Sequence, residues 1–312
     1  MPSPDASTDA FLAQLIELSR EISEGNYDHI DTLLQMTKKG EHPEHITDLA
    51  EAFGMMTVKI EAREYQLERT IETLKEKNEE LSEALRQLTL QEKIKGLLNR
   101  FVPESVRKRV EANPENPDLE KHASDISVLF LDIAGYTAMS ERLSSDEINQ
   151  VIERYFSSFL DDIYLNHGDI NETAGDGLMV IFQHEDPTLH AFHAVQAALA
   201  IREKVGAVNR SPDGQNTPVN INIGINSGEA LLGSTRMQSS VETRWTFTAS
   251  GMTTNVAARL SRLATEGIIL ISEETARRVE KFFELENHGH HRLKNVSDPV
   301  AAWRVSAPRP SQ

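Results

Sequence analysis

A seven-residue repeat constrains this chain more than any other feature of it. Ile60, Leu67, Leu74, Leu81 and Leu88 recur at heptad spacing, and Ile71, Asn78 and Leu85 fall four residues after three of them. Apolar residues so spaced lie on one stripe of a helix, and such a stripe is hidden by pairing with a second helix along the same seam. The segment from Phe11 to Phe101, rich in Glu, Lys, Leu and Gln, therefore reads as helical, with residues 57–100 a coiled coil joining two copies of the chain. A polar Asn78 inside the seam costs stability but fixes a parallel, in-register pair. Upstream, Leu15, Leu18 and Ile22 form a shorter stripe that stops at Gly25-Asn26, and Leu49, Phe53, Met56 and Ile60 form another.

The run Asn113-Pro-Glu-Asn-Pro-Asp118 breaks helical periodicity, so residues 101–122 read as a connecting segment and a second domain begins after them. Ile126-Ser-Val-Leu-Phe-Leu-Asp132 has the near-continuous apolar character of a buried strand. Ser144-Ser-Asp-Glu147 is a capping box opening a helix with the stripe Ile148, Ile152, Tyr155, Phe159, Ile163. Strands at Asp169–Thr173 and Leu178–Phe182 flank the tight turn Ala174-Gly-Asp-Gly177. A helix from Pro187 to Val208 and strands at Val219–Asn226, near Ala230 and near Trp245 come next. Then follow a helix from Thr253 to Ala264, a strand at Ile268–Ile271, a helix from Glu273 to Val279 and a strand at Val300–Val305. That succession implies an α+β sheet with helices on one face.

Composition limits the function. No stretch approaches the roughly 20 apolar residues of a membrane-spanning helix. Met1 to Asp9 lack the basic start and apolar run of a secretory signal, so a cytoplasmic location is expected. The absence of cysteine excludes thiol nucleophiles, disulfides and thiolate metal sites. With 49 acidic against 32 basic side chains the formal charge is −17, which opposes nucleic-acid binding; a polyanionic substrate then needs a local positive site.

The residues suited to build that site stand apart in the sequence. Asp132 ends a buried strand and precedes Ile133 and the small turn Ala134-Gly-Tyr-Thr137; a carboxylate there can hold a hard cation while the backbone N–H groups of Gly135, Tyr136 and Thr137 face a phosphate. Asp176 sits at a hairpin tip between two glycines, and convergence with Asp132 would give a two-carboxylate metal site. Asn255 and Arg259, four apart, share one face of a helix, and Lys294 precedes a turn near the C-terminus.

Residues Phe101 to Val305 resemble the catalytic domain of the class III adenylyl and guanylyl cyclases. The motifs that carry the resemblance are Phe101-Val-Pro-Glu-Ser-Val106, Leu129-Phe-Leu-Asp-Ile-Ala-Gly-Tyr-Thr137, Ala174-Gly-Asp-Gly-Leu-Met179, Gly224-Ile-Asn-Ser-Gly228, Thr254-Asn-Val-Ala-Ala-Arg-Leu260 and Leu293-Lys-Asn-Val-Ser-Asp-Pro299. The resemblance implies a ferredoxin-like catalytic domain over residues 123–306, with a tail at 307–312, and a head-to-tail homodimer with active sites in the interface. Asp132, Ile133 and Asp176 would bind two Mg²⁺ or Mn²⁺ ions, while Asn255, Arg259 and Lys294 would come from the other subunit to orient the ribose, stabilise the α-phosphoryl charge and hold pyrophosphate. The substrate would be a purine nucleoside triphosphate. Of the two base-selecting positions, Glu172 suits the N1–H and amino donors of guanine, whereas Thr248 can donate or accept. The two positions are therefore split, and Glu172 leans the reading to GTP, with ATP as the alternative. A nucleotide-binding dimer without activity is the competing class, disfavoured because the metal, ribose and phosphate positions are all filled by the expected residue types.

Residues 1–56 resemble a HAMP signalling module, through Glu21-Ile-Ser-Glu-Gly-Asn-Tyr-Asp28 and Ile46-Thr-Asp-Leu-Ala-Glu-Ala-Phe-Gly-Met-Met56. His190 and His193, on a helix, and His288, His290 and His291, in a turn, lack a third ligand at zinc-like spacing and read as solvated surface groups.

Overall fold

A computed structural model of the chain describes residues 4–27, 44–211 and 218–310. The connector of the HAMP-like module, from Asp28 to residue 43, and the end of the 307–312 tail lie outside them. Two compact units are present, residues 1–94 and 95–312.

In the first unit, helix α1 (Pro4–Ser23) ends as the sequence implies. Gly25, at φ 83°, donates to Ile22 O and Asn26 donates to Glu21 O, each at 3.0 Å, which is a Schellman cap. Helix α2 runs from Glu44 to Leu98 without a break at residues 56–57; its 55 residues make a rod about 80 Å long. Leu15 and Leu18 of α1 pack on Ile46 and Ala50 of α2, with Ile22 and Phe53 beside them. The buried face of α2 is thus Ile46, Ala50, Gly54 and Thr57, and Leu49 and Met56, expected in that stripe, are exposed. Leu67, Leu74, Leu81 and Leu88 are each more than half exposed, so the heptad stripe is bare in a single chain.

The first helix that lies wholly in the second unit is α3 (Glu104–Ala112), inside the stretch read as a connector. Strand β1 (His122–Ile133) lies at the centre of the sheet, antiparallel to β3 (Gly177–Gln183) on one side and β4 (Ile221–Gln238) on the other. Outside β3 lies β2 (Gly168–Ala174); beyond β4 come β6 (Ile269–Ser272), β8 (Val300–Pro308) and β7 (Phe283–His291), while β5 (Thr243–Ser250) pairs with the far end of β4. The inner order β2-β3-β1-β4 with its βαββαβ connectivity is ferredoxin-like.

Because β1 is covered on both faces, its sequence is a run of apolar residues rather than an alternation. Leu129, Leu131 and Ile133 face α5 (Ser145–Leu165) and α6 (Pro187–Asn209), where Phe159 and Ile163 are fully buried and each contributes about 1.5–3 kcal/mol. The short α8 (Glu273–Val279) adds Ala276 and Val279 to the same core. Ile126 and Val128 instead meet Met179, Ile181, Phe247 and Ala257, the last from α7 (Met252–Leu263). Helices therefore cover both faces, not one. Gly224 allows this: a Cβ there would lie 2.1 Å from Ser261 N and 2.4 Å from Ala257 O, so only glycine lets α7 rest on β4.

Two further expectations change. Strand β7 holds the histidines read as a turn; its charged and polar residues suit a sheet edge, where only Phe283 is buried. His190 is not solvated but wholly buried, with Nδ1 2.8 Å from Ser127 Oγ, which is 2.6 Å from Ser227 Oγ. Its Nε2 lies 3.5 Å from Asp125, itself paired with Arg278 at 2.9 Å. No helix among the described residues is long and apolar enough to cross a membrane.

Candidate active site

Pairing register brings the two aspartates together. Asp132 stands opposite Gly177 on β3 and opposite Asn222 on β4, so the residue before Gly177, Asp176, is its neighbour. The hairpin is closed by the Ala174–Gly177 pair, with Gly175 at φ 61° as its first central residue, the conformation that glycine adopts without strain. On the other side of Asp132 the chain turns through Gly135 (φ 73°) into α4 (Tyr136–Ser140). Asp132, Ile133, Gly135, Tyr136, Thr137, Glu172 and Asp176 all line one cavity of about 590 Å³, completed by Asn222 and by Ala258, Ser261 and Arg262 of α7.

Burial shifts both aspartates in the same direction. Burial pushes the Asp132 carboxyl above the usual range; a hydrogen bond from Asn222 pulls it down, the Asp176 charge pushes it up and the Arg262 charge pulls it down. Burial also raises Asp176, against a hydrogen bond from its own backbone N–H. Two half-buried, mutually repelling carboxylates, with no His among the described lining residues, offer oxygen donors suited to a hard cation. Two carboxylates are the donors that a hard divalent ion such as Mg²⁺ or Mn²⁺ takes, with waters and substrate phosphates as its other ligands; among the described residues no group of three or more His, Asp or Glu side chains converges on a point.

The remaining sequence candidates lie elsewhere. Asn255 is exposed and Arg259 half-buried on α7, one residue and about 100° round the helix from cavity-lining Ala258 in the case of Arg259, and neither lines the cavity. Lys294 is exposed beside Asn295, whose φ is 64°, and also stands apart. Glu172 reaches the cavity; Thr248 sits on β5 opposite Gly233 and does not. The residues just before these two are joined, Asn171 Nδ2 donating to Phe247 O at 2.9 Å. Asn222 and Arg262 were not found by sequence reasoning. A polar residue in the alternating strand around Ile221 and Ile223 was the available sign for Asn222; Arg262 had none beyond its place three residues after Arg259.

A ferredoxin-like sheet that sets two carboxylates in one cavity beside a glycine turn is an arrangement suited to a divalent cation and a phosphate group. The profile of the family described as "Adenylate and Guanylate cyclase catalytic domain" matches residues 119–306, and this chain belongs to that family. It is 31% identical to "Adenylate cyclase 1" of Rhizobium meliloti over 138 residues, 44% of this chain and 20% of that protein. With an "Adenylate cyclase" of Mycobacterium tuberculosis it shares 26% over 200 residues, 64% of this chain and 43% of the relative. The chain thus spans less than half the length of these curated relatives. Among solved structures it resembles the adenylyl cyclase CyaB from P. aeruginosa (TM-score 0.56, 26% identity, 61% of this chain and 98% of that one). It also resembles the guanylyl cyclase Cya2 (TM-score 0.55, 28% identity, 61% and 95%).

Proposed function

We propose that this chain is a homodimeric nucleotide cyclase that converts a purine nucleoside triphosphate to its 3′,5′-cyclic nucleotide and pyrophosphate. The observation that carries the reading is the convergence of Asp132 and Asp176, neighbours through strand register, on one cavity with the Gly135–Thr137 turn. Asp132, Ile133 and Asp176 would hold the divalent ions, which when bound supply charge neutralisation on the phosphates and acidify the ribose 3′-OH. The Gly135, Tyr136 and Thr137 backbone faces the phosphates. Asn255, Arg259 and Lys294 complete the site from a second copy: Asn255 orients the ribose, Arg259 stabilises charge growing on the α-phosphoryl oxygens, and Lys294 binds the departing pyrophosphate. Their positions outside the cavity of their own chain support this division of labour.

The bare heptad stripe of α2 supports a parallel coiled coil as the first dimer contact, with the HAMP-like residues 1–56 as a relay to it. Glu172, on the cavity wall, favours guanine and so GTP as substrate. ATP is the second reading, favoured by the relatives named adenylate cyclase. Purified protein incubated separately with ATP and GTP, with Mg²⁺ or Mn²⁺, and analysed by mass tests both: a cyclic nucleotide from either supports the activity, and none from both overturns it.

A further inference from the structure

Arg262 has no role in the division of labour above, yet it occupies the same cavity. It stands in the last turn of α7, and with Ala258 and Ser261, four and one residues earlier, it lines the wall facing Asp132. The other charged side chains of that lining are Asp132, Asp176 and Glu172, all carboxylates, which makes Arg262 the single cation among the described lining residues. It lines the same cavity as Asp132, yet among the described residues it forms no ion pair and no hydrogen bond. In a chain of formal charge −17, in a cavity whose other charged lining residues are three carboxylates, an exposed guanidinium held without a partner is set for an anion that arrives later.

We propose that Arg262 is a substrate-binding residue whose guanidinium holds the terminal phosphates of the nucleotide, from the same chain that supplies Asp132 and Asp176. This rests on the cyclase reading. The planar fork of arginine matches two phosphate oxygens at once, which a lysine ammonium does not. The same residue at a helix C-terminus also favours the helix dipole, a role needing only positive charge and no ligand. The two roles differ in what they affect: one sets polyphosphate affinity, the other helix stability.

The test uses the full chain, wild type and the variants Arg262→Gln and Arg262→Lys. Calorimetric binding of inorganic pyrophosphate in MgCl₂, KM and kcat with the preferred triphosphate, dimer mass and Tm are measured for each. Arg262→Gln is expected to weaken pyrophosphate by about tenfold to a hundredfold and to raise KM by a similar factor, with a smaller effect on kcat. Arg262→Lys is expected to recover part of that loss. Dimer mass and Tm stay at wild-type values. Unchanged pyrophosphate affinity in Arg262→Gln overturns the proposal, whether or not Tm falls, and so does a loss of affinity that follows loss of the dimer. A wild-type protein that makes no cyclic nucleotide would instead overturn the cyclase reading, and the pyrophosphate comparison would still decide the role of Arg262.

Discussion

The carboxylate of Asp169, on β2, caps helix α3: its two oxygens accept hydrogen bonds from the backbone N–H of Glu104 at 2.8 Å and of Ser105 at 3.2 Å. One side chain thus satisfies two of the orphan donors at a helix start and fastens the segment after α2 to the strand that carries Glu172 and leads to Asp176. Asp169→Ala is expected to cost about 2 kcal/mol, a fall in Tm of about 4–8 °C, and to speed hydrogen exchange at the Glu104 and Ser105 amides. Unaltered exchange at those amides would show that the cap does not hold α3.

His190 gives a pH signature. Burial, the largest cause, lowers its pKa from 6.5 to about 4; Asp125 pulls it up, Arg278 and His184 push it down and Asp186 pulls it up. The folded histidine is therefore neutral where the unfolded one is protonated. Its contribution to stability is full above pH 6.5 and is lost as pH falls from about 6.5 to about 4. A shift of that size corresponds to about 3 kcal/mol across the window. Urea titrations of wild type and His190→Asn between pH 4 and 7 check it: the wild-type slope should exceed that of the variant, and parallel slopes would exclude His190 as the source.

Glu172 lines the cavity beside both aspartates, and Glu172→Lys replaces an acceptor with a donor. The ratio of ATP to GTP turnover is expected to rise by about tenfold or more, even if total activity falls. Turnover measured with each nucleotide alone gives the ratio; a constant ratio means that Glu172 does not touch the base.

Much of this site was legible in the sequence because its parts are local. Asp132 ends an apolar run, Asp176 sits in a glycine turn, and the Ser144 box caps α5 as expected, with Ser144 N donating to Glu147 at 2.8 Å. What escaped depends on contacts distant in sequence. Asn222 meets Asp132 only through strand register, and Arg262 faces the cavity only because α7 lies against Gly224. His190 was misread because α6 is buried over most of its circumference, which leaves no polar face to contrast with it. Strand β7 lacked an apolar pattern because an edge needs few buried side chains. The Leu49 and Met56 misreading has the same origin, since several stripes on α2 are equally apolar and the position of α1 decides which is buried.

The central claim is that each active site joins the aspartates of one chain to Arg259 of another, and complementation tests it. Asp132→Ala and Arg259→Ala homodimers should each be inactive, because both of their sites are damaged. Co-expressed at equal amounts, the two chains form about half mixed dimers, in which both lesions fall in one site and the other is intact; activity should recover to about a quarter of wild type. A preparation verified as mixed that remains inactive contradicts the shared site and withdraws the roles given to Asn255, Arg259 and Lys294.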